Sequence, residues 1–110
     1  MKLPPMPFRV TDWAKLPATL HPGETGTATW RTVMMGEVRV RMVEYSPGYR
    51  ADHWCARGHV LLVLSGEMVS ELKDGSTSRL TAGMGYEAGD DPENPHRSYT
   101  QTGCKLFIVD

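Results

Sequence analysis

The sequence predicts an all-β fold, and three observations lead to this class. Stretches rich in β-branched and aromatic residues have the length of strands. Turns containing glycine or proline separate these stretches at hairpin spacing. No stretch has the apolar repeat of an amphipathic helix of ordinary length. Because 110 residues provide enough chain for one hydrophobic core, we predict a single domain over residues 1–110.

The N-terminal part, residues 1–26, is predicted to form a proline-rich extended arm followed by a loop. Pro4, Pro5 and Pro7 remove backbone donors and favour extended structure. A single helical turn is predicted to start near residues 11–13, and residues 21–26 are dense in turn formers. We expect the arm and loop to pack on the rest of the domain or on a partner subunit.

The remaining chain, residues 27–110, has the pattern of successive strands. Residues 38–45 alternate apolar side chains with arginines, which is typical of a half-buried strand. Asp74 and Gly75 form the clearest hairpin signal. Many short strands of this kind favour a sandwich or barrel, in which few edges stay exposed. Turns are predicted at 46–48 and 64–67, a glycine-rich stretch at 83–89, and strands at 27–33, 60–64, 68–72, 76–80, from His96, and at 105–109.

Composition and charge exclude several functions. The 12 basic residues nearly balance the 13 acidic ones, which argues against nucleic acid or an anionic membrane as a partner. The longest apolar run, residues 60–64, is only as long as a strand, and the N-terminus lacks the features of a signal peptide. We therefore expect a cytoplasmic protein in which Cys55 and Cys104 are not paired with each other.

One short segment carries three side chains that bind transition metals. His53, Cys55 and His59 all stand at odd positions, so an extended chain with a turn at residues 57–58 directs them to one side. Imidazole and thiolate suit zinc and the later first-row metals, whereas magnesium or calcium would require clustered carboxylates. His96, which follows a proline, is the candidate fourth ligand. A single buried histidine is usually a core residue, so this prediction depends on the joint spacing.

The segment from Gly48 to Gly66 resembles the first motif of the cupin superfamily. That motif reads Gly-x5-His-x-His-x3–4-Glu-x6-Gly, and His53, Cys55, His59 and Gly66 keep its last three spacings. Cysteine replaces the second histidine, histidine replaces the glutamate, and Gly48 is one residue closer to His53. His96 after proline is similar to the end of the second motif. The chain also resembles small bacterial cupin-fold proteins named for an Asp-His-Cys-Trp motif, present here as Asp-His-Trp-Cys at 52–55.

The resemblance implies a cupin-type double-stranded β-helix, or jelly-roll barrel, with residues 27–110 as the barrel and residues 1–26 as the arm. It also implies one divalent metal held by His53, Cys55, His59 and His96, with zinc first and iron or nickel as alternatives. The resemblance to many cupins also implies a homodimer. Side chains that could contact a small-molecule ligand in the barrel mouth are Arg41, Tyr45, Tyr86 and Tyr99, although each is also compatible with half-exposed strand decoration.

Two functions remain open at this point. The first is a small metal-dependent enzyme acting on an unidentified small molecule, with no catalytic residue assigned and with oxygenase, isomerase and lyase chemistry not distinguished. The second is a non-catalytic module, in which a structural metal stabilises the fold or a small molecule is sensed. A set of three histidines and one cysteine lacks the usual carboxylate, which argues against direct transfer of reactions from cupins with three histidines and one glutamate.

Overall fold

The computed structural model describes residues 3–110, which form eight β-strands and one 3-10 turn. The turn is the only helical element among the described residues, so the predicted all-β class is confirmed. The first two residues of the predicted arm lie outside the described residues. The elements are a 3-10 turn at Trp13–Lys15, β1 at Thr19–Pro22, β2 at Thr27–Met35, β3 at Val38–Tyr45, β4 at His59–Leu72, β5 at Thr77–Thr81, β6 at Gly85–Ala88, β7 at His96–Tyr99 and β8 at Cys104–Val109.

All of the strand pairs are antiparallel. Along the main path the strand order is β1-β2-β3-β8-β4-β5, and β6 and β7 both pair with β4. The first half of β4 pairs with β6 and β8, whereas its second half pairs with β5 and β7. This long strand therefore joins the two sheets.

The predicted turn at residues 64–67 is wrong, because β4 runs through it without reversing. The pairing with β8 shifts between Val63 and Ser65, and Gly66 adopts a φ of 77°. A bulge beside a glycine in the left-handed region bends a strand and increases its twist. The glycine that suggested a chain reversal instead lets one strand pass from the first sheet to the second.

Two other turn predictions have different outcomes. The hairpin at Asp74 and Gly75 is confirmed, since Gly75 has a φ of 96° and Asp74 Oδ1 accepts hydrogen bonds from the Ser76 backbone and hydroxyl. The predicted loop at 21–26 is partly wrong because β1 includes His21 and Pro22 and pairs with β2. Proline is tolerated there because β1 is an edge strand. β1 and β2 therefore form a local hairpin, and the turn between them is limited to residues 23–26.

The hydrophobic core lies between the inward faces of β3, β4 and β8. Its largest fully buried side chains are Met68, Leu106 and Val63. In β3 the inward face carries Val43 together with arginines, and Arg41 is only 6% exposed. The alternation of β3 is thus confirmed, and its arginine face is the one that points inside.

The arm follows the outer edge of β2. Arg9 Nη2 donates a hydrogen bond of 3.3 Å to the Met34 carbonyl, and Asp12 caps the 3-10 turn by accepting from the Ala14 amide. Phe8 is 94% exposed, so the arm presents apolar surface outward. Among residues 3–110, no helix has the length and apolar character needed to cross a membrane.

Candidate functional site

A cavity of about 130 Å³ lies on the inner side of the sheets, and we call it the inner cavity. Strands β2, β3, β4, β6, β7 and β8 contribute to it, together with the extended segment that precedes β4. A wider groove of about 630 Å³ shares Tyr86 and His96 with it. The inner cavity is lined by Trp30, Arg39, Arg41, Val43, Tyr45, Tyr49, Ala51, His53, Cys55, His59, Leu61, Tyr86, His96, Arg97, Ser98, Ile108 and Asp110.

Two of the predicted metal ligands, His59 and His96, meet inside this cavity. Their ring centroids are 4.7 Å apart in an edge-to-face arrangement. The His59 side chain is 8% exposed and His96 is 7% exposed. The Nδ1 atom of His59 and the Nε2 atom of His96 are buried without a hydrogen-bond partner among the described residues. Because leaving a buried polar atom unpaired is costly, each such atom requires an explanation.

The electrostatics keep both imidazoles neutral. Burial, together with the neighbouring His96, lowers the pKa of His59 to about 4, against the opposing effect of Asp110. Burial also lowers the pKa of His96. A neutral imidazole retains the lone pair with which histidine binds a metal ion. The orphaned nitrogens and their protonation state therefore fit a metal centre or a polar ligand.

Tyr86 orients the His59 ring from β6. Its hydroxyl and His59 Nε2 share a hydrogen bond of 2.6 Å. Burial raises the pKa of Tyr86, so its hydroxyl stays protonated. Because Nε2 is engaged by Tyr86, Nδ1 is the His59 nitrogen without a hydrogen bond among the described residues, and it lies 3.8 Å from Asp110 Oδ2. Nδ1 has a free lone pair in the tautomer in which Nε2 carries the ring proton and donates to the Tyr86 oxygen.

The other two predicted ligands border the same cavity but do not meet the histidine rings. Cys55 pairs with His96 through the backbone, with N···O distances of 2.7 and 2.9 Å, whereas its Sγ donates to the Arg57 carbonyl at 3.7 Å. The His53 side chain is 75% exposed, and its Nδ1 donates to Asp52 at 2.6 Å. Within residues 3–110, no three His, Cys, Asp or Glu side chains are grouped so that they could hold a metal.

The sequence analysis missed an ion-pair network at the floor of the cavity. Asp110 follows β8, and its side chain is only 1% exposed. It accepts two hydrogen bonds of 2.9 Å from Arg39 and one of 3.0 Å from Arg41. Burial alone would raise the pKa of Asp110, but the hydrogen bonds from Arg39 and the charge of Arg41 hold it below its usual range. Strand parity could have indicated Arg39 and Asp110. Arg39 lies on the same face of β3 as Arg41, and Asp110 continues the inward face of β8.

Three of the four predicted ligand contacts line the inner cavity. Arg41 lies with its guanidinium carbon 4.3 Å from the centroid of Trp30, and its Nε is buried without a partner among residues 3–110. Tyr45 and Tyr86 also line the cavity. Tyr99 instead lies under Arg50 and borders a separate groove, so it is not brought to this site.

Comparisons with known proteins identify the fold. No model of a known protein family matches the sequence, and no curated protein matches it. Solved structures do match. A cupin of the RmlC-like type from Shewanella frigidimarina has a TM-score of 0.71 at 18% identity and covers 94% of this chain and 89% of its own.

Two further similar structures are enzymes by their names. The polyketide cyclase RemF from Streptomyces resistomycificus has a TM-score of 0.74 at 20% identity, covering 93% of this chain and 78% of its own. Fe(II)-HppE has a TM-score of 0.74 at 14% identity, covering 94% of this chain and 60% of its own. At these identities the similarity concerns the fold. The chain has the cupin fold that its motif spacing predicts.

Proposed function

We propose that this chain is a metal-binding cupin-fold protein, and that it acts as a small metal-dependent enzyme on a small molecule in the inner cavity. The observation that carries the proposal is the pair of buried imidazole nitrogens, His59 Nδ1 and His96 Nε2, which lack partners among residues 3–110 and face one cavity. Fe(II)-HppE shows that a protein of this fold can carry a divalent metal, and RemF that it can be an enzyme.

His59 and His96 would be the principal ligands. Cys55 and His53 would complete the set by side-chain rotation, because both lie on an extended segment beside the cavity rather than within a regular strand. With Nε2 carrying the ring proton and donating to the Tyr86 oxygen, this hydrogen bond would leave the Nδ1 lone pair free for the metal, as outer hydrogen bonds commonly do for metal-binding histidines.

The donor set also indicates the metal. Two or three imidazoles with one thiolate suit a thiophilic divalent ion, so zinc is the first candidate and iron and nickel are the alternatives. When bound, such an ion would polarise a ligand or activate water or dioxygen. No catalytic residue is assigned. The chain's own contribution would be to orient His59 through Tyr86 and to present Arg41 and Tyr45 to the ligand.

The alternative proposal is a non-catalytic module, in which the metal is structural and stabilises the fold or the protein senses a small molecule. The specific observation in its favour is the donor count, since four protein ligands would fill a tetrahedral zinc site and leave no position open. Chelation distinguishes the two roles. A structural metal predicts a large fall in thermal stability when the ion is removed, whereas a catalytic metal predicts lost turnover in a largely intact fold.

The direct test is elemental analysis of protein purified without added metal, followed by titration with Co²⁺. We expect close to one metal per chain, and an absorption band from cobalt–thiolate bonding that disappears in Cys55→Ser. Cys104→Ala is the matched thiol control, and His21→Asn is the histidine control, because neither residue lines the inner cavity. A protein that is metal-free and gains no metal from zinc or iron would contradict the proposal.

We also propose that the protein is a cytoplasmic homodimer. The arm exposes Phe8 and Val10 at 94% and 82%, and the outer face of β4 exposes Val60 at 51% and Leu64 at 42%. Two such apolar surfaces on one chain can cover each other between two copies. Light scattering should give the mass of a dimer, and Phe8→Ser should shift the protein toward the monomer. A wild-type monomer at micromolar concentration would contradict this.

A further inference from the structure

Cys55 is joined to His96 by an isolated antiparallel β-bridge. The Cys55 amide donates to the His96 carbonyl at 2.7 Å, and the His96 amide donates to the Cys55 carbonyl at 2.9 Å. Residues directly opposite each other in an antiparallel pair project to the same face, with their Cβ atoms about 4.5 to 5.5 Å apart. This pair of backbone hydrogen bonds, which we call the ligand bridge, therefore places the thiol on the same side as the His96 ring.

The segment that carries the thiol has little regular structure of its own. Residues 51–58 are all described, and they belong to none of the strands. Beside the ligand bridge, the Ala51 amide donates to the Ser98 carbonyl at 2.9 Å. On the other side, the Asp91 amide donates to the Ala56 carbonyl at 3.0 Å. Because segments with few contacts open more readily than paired strands, side-chain contacts strongly affect how often the ligand bridge opens.

Trp54 is the largest side chain of this segment and is half-buried. Successive side chains of an extended chain alternate, so Trp54 projects away from the face that carries Cys55. The guanidinium carbon of Arg97 lies 4.4 Å from the centroid of the Trp54 ring, and Lys73 Nζ lies 4.7 Å from it. Arg97 directly follows His96 in the chain. The contact between Trp54 and Arg97 thus joins the same two segments as the ligand bridge, on the opposite face.

Both cations are themselves fixed by neighbouring strands. Arg97 lies in β7, its side chain is 19% exposed, and its Nε donates to Glu71 of β4 at 3.3 Å. Lys73 follows β4, and its amide donates to the Pro95 carbonyl at 2.9 Å. Tryptophan is the aromatic side chain that attracts a cation most strongly. The Trp54 ring therefore rests on groups whose positions do not depend on the irregular segment.

We propose that Trp54 is a positioning residue for Cys55, because its contacts with Arg97 and Lys73 hold the segment in the register that places Cys55 opposite His96. This inference rests on the proposed metal site. It goes beyond that site, since Trp54 is not among the residues that line the inner cavity. Without the indole, the ligand bridge opens more often and the thiol leaves its place beside His96.

The first test measures hydrogen exchange of the metal-free full chain by NMR. In Trp54→Ala the Cys55 amide should exchange faster by about fivefold or more, because two cation–π contacts are lost. The Asp110 amide, which donates to the Arg39 carbonyl at 2.9 Å, is the reference for general destabilisation and should change less. Trp54→Phe keeps an aromatic face for the two cations and should restore most of the protection.

Two further variants complete this test. Trp13→Ala removes an indole that contacts Phe107 in β8, and it should leave the exchange of the Cys55 amide unchanged. Lys73→Met removes one cation from an exposed side chain, so the Cys55 amide should exchange faster by about two- to fivefold. If Trp54→Ala does not fold, Lys73→Met decides the question, and an unchanged Cys55 amide in it would overturn the inference.

The second test follows the release of Co²⁺ to excess EDTA through the cobalt–thiolate absorption band. Release from Trp54→Ala should be faster than from the wild type by about the same factor as the exchange, because an open segment carries the thiolate away from the metal. In Cys55→Ser, release is followed by a fluorescent chelator, and adding Trp54→Ala should have no further effect. Such non-additivity shows that Trp54 acts through Cys55.

The two tests allow this inference and the metal proposal to fail separately. Equal exchange of the Cys55 amide in the wild type and a folded Trp54→Ala overturns the inference, as does equal acceleration at Cys55 and Asp110. Faster exchange with unchanged release of cobalt also overturns it and leaves the metal proposal intact. A wild type that binds no metal contradicts the metal proposal, while exchange in the metal-free chain still decides whether Trp54 positions Cys55.

Discussion

The two ends of the interior are built by the same strands but follow different chemistry. At one end β4 and β8 contribute Val63 and Leu106, both completely buried in an apolar core. At the other end the same inward faces carry His59 on β4 and Asp110 just after β8. A shift of four residues along a strand preserves the facing direction, so only the residue type changes. The fold thus supplies a rigid wall on which a polar site is placed directly beside the core.

The two ends also differ in how completely their polar groups are satisfied. Val63 and Leu106 at the core end are apolar and need no hydrogen-bond partner, whereas the cavity end holds unpaired nitrogens on His59, His96 and Arg41 among the residues described. Unsatisfied buried groups reduce stability and are typical of binding sites. Comparing substitutions at the two ends therefore separates residues that serve the fold from residues that serve the ligand.

The largest expected effect comes from the core end. Leu106→Ala removes a completely buried side chain and leaves a cavity, so we expect the free energy of unfolding to fall by about 3 to 5 kcal/mol. Urea denaturation measures this. The exposed neighbour Lys105→Ala is the control and should change stability by less than about 0.5 kcal/mol. A loss below about 1 kcal/mol for Leu106→Ala would mean that the core does not lie at this end.

The ion pairs at the cavity floor should come next. Asp110→Asn removes the negative charge that Arg39 and Arg41 share, and leaves the buried Arg41 without its counter-ion. We expect a loss of about 2 to 3 kcal/mol at pH 7, measured by denaturant unfolding. Asp74→Asn, in an exposed hairpin, is the matched control. Equal effects of the two substitutions would show that Asp110 is solvated rather than buried.

A smaller effect is expected from pH in the metal-free protein. The pKa of His59 is about 6.5 in the unfolded chain and about 4 in the folded one, because burial disfavours the charged ring. Its contribution to stability is present above pH 6.5 and is lost as the pH falls toward 4. We expect a loss of roughly 1 to 2 kcal/mol between pH 7 and pH 5. His59→Phe should reduce this slope, and an unchanged slope would contradict a buried neutral His59.

The smallest effect on the metal-free fold should come from His96. His96→Leu replaces a buried ring that has an unpaired nitrogen with an apolar side chain, so stability should stay within about 1 kcal/mol of wild type or rise. We expect zinc to raise the melting temperature of the wild type, and the same substitution should abolish that increase. Melting curves with and without zinc test both parts. A strongly destabilised variant would show that His96 serves the fold.

The sequence predicted the all-β class, the strand β3 at residues 38–45 and the hairpin at Asp74 because their signals are local. The bulge at Gly66 was not predicted, because pairing with the distant strand β8 decides it. The edge strand β1 was not predicted, because its proline and the turn formers after it favour a loop. At the site, the shared parity of His53, Cys55 and His59 predicted one common side for metal ligands. All three border the inner cavity, but the His53 side chain is 75% exposed and contacts Asp52. The buried pair of Arg41 and Asp110 joins residues far apart in the chain, so strand parity indicates that each points inward but not that the two meet.

Metal-edge diffraction from crystals of protein purified without added metal is the most direct test of the proposed metal centre. We expect one anomalous peak in the inner cavity, next to His59 Nδ1 and His96 Nε2, with the Cys55 thiolate turned toward it. The edge at which the peak appears identifies the element. The absence of any peak in the cavity, in crystals as grown and after soaking in zinc or iron, would contradict the proposal.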